Sequence, residues 1–122
     1  MPNRHPFVLA LRDLFPEVKA AVDSYEIAGL LHCEVGEFAR LSVEAFNAGD
    51  LDRVRRYFEF ASGAFEGADA GLRNALHVSY AEAFAWGTPH EQTARALMPE
   101  RLALAFDGML AWPHPHPTDG AV

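Results

Sequence analysis

The chain has 122 residues, half of them hydrophobic and 22% charged, with a formal charge of −7 and one cysteine. That length allows one domain with one core, and the composition is too apolar for a disordered chain. Cys33 alone excludes a disulfide within the chain and cannot by itself make a zinc site, which places the protein in a reducing, cytoplasmic setting.

Helical punctuation dominates from the start. Phe7 to Leu14 reads as a short apolar turn or helix, and Pro16 suits the first turn of a following helix that runs towards Ser24. Arg12 and Asp13 break the N-terminal apolar run, no signal-type cleavage site follows it, and no stretch holds eighteen uninterrupted apolar residues. Neither export nor a membrane partner is expected. From Leu31 the positions Leu31, Val35, Phe38, Ser42, Ala45 and Phe46 recur at helical spacing, while Glu34, Glu37 and Glu44 share another face. In "NAGD", Gly49 can close that helix in the left-handed conformation and Asp50 can cap the next.

Leu51, Val54, Phe58, Ala61 and Phe65 form the most regular stripe, with Tyr57 and Phe60 pointing away from it. Those two rings are either second-side packing within the monomer or a dimer contact, so a homo-oligomer stays open. Asp69 can cap a partner helix, and the short connection predicts an antiparallel αα-hairpin of residues 50–66 and 69–86. At 100 degrees per residue Leu72, Leu76, Ser79 and Ala83 share one stripe, with Tyr80 at its border, so Ser79 is expected inside. Asn74 and His77 fall on the far side, with apolar companions that make this the central helix. "TPHE" reads as a capping box that opens a further helix, with Thr88 at the cap and Glu91 three residues on. Pro99 interrupts that helix and opens a last amphipathic segment with Leu102, Phe106, Met109 and Leu110. The prediction is an all-α single domain over 1–112, a five- or six-helix bundle around the central hairpin, with a flexible Pro/His-rich tail over 113–122.

Charge and motif narrow the function. Residues 24–50 carry Glu26, Glu34, Glu37, Glu44 and Asp50 against Arg40, a balance of −4 that repels nucleic acid and attracts basic partners. His32, Cys33 and Glu34 are adjacent, and helix neighbours do not converge on one point. His114 and His116 flank a proline in the tail, too little for a metal site. Arg73 and His77 share a helical face, as in some small all-helical ribonucleases, but their three intervening residues are too few for that chemistry. No glycine-rich phosphate loop, serine elbow or zinc spacing occurs. No catalytic residue, cofactor or metal is assigned.

The segments Leu31 to Glu34 (L-H-x-E), Gly49 to Asp50 and Asn74 to Glu82 (N-A-L-x-V-S-[FY]-x-E) resemble a family of small bacterial all-helical proteins of unknown function, over about residues 14–84. The resemblance implies a helical protein without an established activity. Proteins of this look sit among polymorphic-toxin immunity proteins, so it also implies an immunity role. The leading expectation is a non-enzymatic protein-binding module of immunity type that meets a basic partner through Glu34, Glu37, Glu44 and Asp50. The alternative is a small-molecule-binding or enzymatic protein with a pocket near Asn74, His77 and Glu82.

Overall fold

The computed structural model describes residues 4–24, 26–87 and 89–111, the last three by backbone only. Its helices are α1 (Pro6–Leu14), α2 (Pro16–Val22), α3 (Leu31–Asn47), α4 (Leu51–Ala64), α5 (Ala70–Ala75), α6 (Pro89–Leu97) and α7 (Glu100–Ala111). After Ala75, α5 widens into a π-turn over Leu76–Tyr80 and then tightens into a 3₁₀ turn over Ala81–Phe84. Seven helices and no strand occur among the described residues, more than the five or six expected, because the segments on both sides of Pro16 and of Pro99 are complete helices. A proline offers no N–H and pushes the residue before it out of the helical region, and Phe15 accordingly sits extended at φ −130, ψ 90.

Helix starts follow the sequence. Asp50 accepts the Arg53 N–H at 3.3 Å and Asp69 the Leu72 N–H at 2.7 Å, while Gly49 closes α3 at φ +75. The Glu91 carboxylate reaches back to the Gly87 N–H at 2.9 Å. Thr88, the expected cap of α6, and the tail over 113–122 lie outside the described residues, as do the Met109 and Leu110 side chains.

The packing centre is α3, not the α4/α5 hairpin. It packs against α2, α4 and the π-turn, and against α1 and α5 besides. The reason is Phe38, fully buried on α3, whose ring meets Phe7 of α1, Phe15 of the α1–α2 junction, Tyr57 and Phe60 of α4, and Tyr80 of the π-turn at centroid distances from 4.8 to 6.4 Å. Tyr57 and Phe60 are thus packed within the chain. The two hairpin arms meet mainly through side chains, Phe58 lying edge-on to Tyr80 and to Phe84. The last helix docks on α4, where the Ser62 hydroxyl accepts the Leu102 N–H at 3.1 Å and Leu102 and Phe106 are buried.

The 100-degree phase fails at one place. Ser79 is half-buried and its hydroxyl lies 3.2 Å from His32 Nδ1, whereas Tyr80 and Phe84 are fully buried. A π-turn takes one more residue per turn than an α-turn, so the inward stripe advances to Leu72, Leu76, Tyr80 and Phe84, spaced by four throughout. The Ser42 hydroxyl donates to Phe38 O at 2.9 Å, which makes Tyr80 the donor in its own 2.8 Å bond to Ser42 Oγ. Burial raises the Tyr80 pKa, so the phenol stays protonated for that role.

A second tie fixes the N-terminal segment. Glu34 is 1% exposed and accepts from Arg4 Nε at 2.6 Å and from the Gly29 N–H at 3.0 Å. Gly29 holds φ +89, where a side chain would be strained. Arg4 also donates to Val22 O and Asp23. Asp23 collects Arg12 at 2.8 and 3.1 Å and Lys19 at 3.1 Å, and the hydrogen bond from Arg12, helped by Lys19 and Arg4, holds its carboxyl well below the usual range. Glu34 therefore serves the interior and cannot reach a partner.

Two outcomes are expected. Arg4→Ala strands the Glu34 charge in the core and lowers stability by about 3 kcal/mol in denaturant titration. Asp23 is lowered in the folded state, so the unfolded chain binds its proton first, and the stability Asp23 contributes is present above its ordinary value of 3.8 and lost as pH falls below it. The stability gap between wild type and Asp23→Asn therefore narrows between about pH 5 and about pH 2, and a constant gap contradicts the ion-pair account.

Candidate functional site

A cleft of about 700 Å³ opens between α1 and the C-terminal end of α4. Its floor is apolar: Phe7 and Ala10 from α1, Phe60 and Ala64 from α4, and Leu72 from α5. Its rim is acidic, with Glu59, Glu66 and Asp69. The α4 stripe turns Val54, Phe58, Ala61 and Phe65 into the core, which leaves Phe60 half-buried on the α1 side with its ring 5.2 Å from Phe7. A cleft of this size with an apolar floor and few polar groups is the usual form of a ligand site.

One side-chain pair closes its mouth on the α5 side. His5 Nδ1 accepts the Phe7 N–H at 3.0 Å and so caps α1, which leaves the proton on Nε2 to be donated to Asp69 Oδ2 at 2.8 Å. The other oxygen of Asp69 caps α5 through the Leu72 N–H. That backbone bond, with His5 second, lowers the Asp69 pKa. Two helix caps thus hold each other in place. Glu59 has no ion-pair partner among the described residues, and Glu66 has only Arg101 at 3.5 Å.

A smaller cleft of about 270 Å³ lies between the end of α4, α5 with its π-turn, and α7, lined by Phe65, Arg73, His77, Arg101, Leu104 and Ala105. The His77 ring stands edge-on to Phe65 at 5.4 Å. Its Nδ1 is buried with no hydrogen-bond partner among the described residues, and burial, with Arg73 second, lowers its pKa.

The structure disperses the residues singled out in the sequence. Of Asn74, His77 and Glu82, only His77 lines this cleft; Asn74 and Glu82 are exposed. Of the acidic set, Glu34 is inside the protein, and Glu37 and Glu44 both clamp Arg40, Glu37 at 2.9 Å. Asp50 caps α4 and shares with Glu44 and Arg53 a recess of about 220 Å³ between α3 and α4. Cys33 is a free, exposed thiol, and its neighbour His32 turns to Ser79 instead. No group of three or more His, Cys, Asp or Glu that could hold a metal gathers among the described residues, and no helix among them is long and apolar enough to cross a membrane.

The residues sequence reasoning missed are those of the large cleft, Glu59, Gly63, Glu66 and Phe60 with Phe7. Phe60 off the α4 stripe was the available signal. Nothing in the sequence joined α1 to α4 or brought Arg101 to Arg73.

No curated protein and no solved structure matches the chain. A family described as a domain of unknown function, DUF7674, matches residues 8–111, from within α1 to the end of α7. The match takes in the smaller cleft, all of the larger one but His5, Pro6 and Phe7, and the C-terminal helices that the resemblance over 14–84 left out, and the chain belongs to that family, the DUF7674 domain of unknown function.

Proposed function

We propose that the protein is a non-enzymatic binding module whose α1/α4 cleft takes an apolar side chain from a basic segment of another protein. The observation that carries this reading is the pairing of an apolar floor with three rim carboxylates in one cleft of about 700 Å³. An apolar anchor supplies affinity by leaving water, and interfaces concentrate their binding energy in such pockets. Rim carboxylates steer a basic partner and select against acidic ones. The α3 face supports docking less well, because Glu34 is buried and Glu37 and Glu44 share Arg40, which leaves one net negative charge among the three. The resemblance in sequence gives this reading its sharper form: the partner segment belongs to a basic toxin domain, and binding confers immunity inside the cytoplasm.

Gly63 supplies a clean test. It lines the cleft, has an ordinary helical backbone, and a Cβ built on it meets nothing within 4 Å. Gly63→Leu therefore obstructs the cleft from a position where the backbone accepts a Cβ, and is expected to raise stability by up to about 1 kcal/mol through helix propensity. Tagged wild type, Gly63→Leu and the double variant Glu37→Lys, Glu44→Lys are compared in affinity capture from the native host, with mass spectrometry of what is retained. A basic polypeptide is expected with wild type and with the double variant, and is expected to be lost with Gly63→Leu. Retention by Gly63→Leu with loss in the double variant moves the interface to α3 and ends the cleft reading, as does the absence of any stoichiometric partner.

A further inference from the structure

We propose that the cleft between the end of α4, the π-turn and α7 binds a small organic anion, its oxyanion held by Arg73, His77 and Arg101 and its body against Phe65 and Leu104. The site stands apart from the α1/α4 cleft and does not rest on the function proposed for it.

The pairing of cations across the molecule is the first argument. Arg4, Arg12, Lys19, Arg40, Arg53, Arg55 and Arg95 each have a carboxylate within 4 Å. In a chain of net charge −7, paired cations are what acidic surroundings produce. Arg73 has no carboxylate partner among the described residues, and its nearest acceptor is Ala68 O at a long 3.5 Å. Arg56 shares that condition but lines none of the clefts described above. Arg101 reaches only Glu66, 79% exposed and 3.5 Å away, a contact of the kind that solvent largely screens. Two guanidinium groups with weak internal commitments therefore share one cleft, and the guanidinium fork matches carboxylate and phosphate oxygens in pairs.

His77 is the second argument. With Nδ1 shut off from solvent and lacking a partner, Nε2 is the nitrogen left to face the cleft it lines. Burial beside Arg73 keeps the ring neutral at neutral pH, so it offers an anion one N–H and little charge. The residue lies in the π-turn, a distortion that recurs at functional sites because it re-aims side chains at a cost in helix geometry. The volume is the third argument. About 270 Å³ exceeds what a bare phosphate fills, and Phe65, Leu104 and Ala105 wall the remainder with apolar surface.

The test titrates the full ¹⁵N-labelled chain with phenyl phosphate, with inorganic phosphate, and with sodium chloride at matched ionic strength, following the His77 imidazole and the amides of the π-turn. Phenyl phosphate is expected to give saturable shifts and to bind several-fold more tightly than inorganic phosphate. Arg73→Gln and Arg101→Gln, both changes at exposed positions, are each expected to weaken it about tenfold. Glu66→Gln removes the competing carboxylate and is expected to tighten binding. Gly63→Leu, at a position that lines only the other cleft, leaves the titration unchanged. Shifts reproduced by chloride, or affinity within about twofold of wild type in both arginine variants, overturn the site. Equal affinity for inorganic phosphate overturns the organic part of the assignment.

Discussion

The contact between Tyr80 and Phe38 organises the centre of this fold. The two rings stack at 4.8 Å in a fully buried position, and the Tyr80 hydroxyl must find an acceptor there, because an unsatisfied buried hydroxyl is costly. Ser42 is that acceptor, and its own O–H donates to Phe38 O one turn earlier. An uninterrupted α-helix from Asp69 would have turned Ser79 inward and left Tyr80 at the border. The π-turn is the local distortion that brings the larger ring to the core, and the burial of Tyr80 and Phe84 offsets its poorer hydrogen-bond geometry.

The same contact makes α3 the organising helix. Phe38 offers one ring to four surrounding segments, so α1, α4 and the π-turn are positioned relative to α3 and only secondarily to each other. The buried Arg4–Glu34 pair then fixes the chain before α1 to the first turn of α3. Such a pair contributes less to net stability than to the choice of one arrangement, because desolvation offsets much of its attraction. Its consequence lies elsewhere: with the segment before α1 held, Phe7 sits over Phe60 and the α1/α4 cleft keeps its floor.

The two clefts differ in sign. Carboxylates rim the larger one and guanidinium groups line the smaller, with the Glu66–Arg101 contact joining them. The formal charge of −7 therefore describes neither surface. Much of the acidity that the sequence places on α3 is internal or locally paired.

Local rules were enough for the helices themselves. Proline at 16 and 99, the caps Asp50 and Asp69 and the left-handed Gly49 act within a few residues, so the sequence alone determines where most helices begin and end, and that Phe38, Phe58 and Phe65 face inward. It also exposed Tyr57 and Phe60 as rings in need of a second neighbour. Tertiary structure decided the rest. Whether Glu34 faces water or Arg4 depends on a residue thirty positions away, and the acidic face counted on α3 lost a member that way. The π-turn follows from competition between Ser79 and Tyr80 for one place beside Phe38, a choice made by packing that no fixed helical period contains. Both clefts are assembled by side chains from helices far apart in the chain, and their chemistry exists only once those helices have docked.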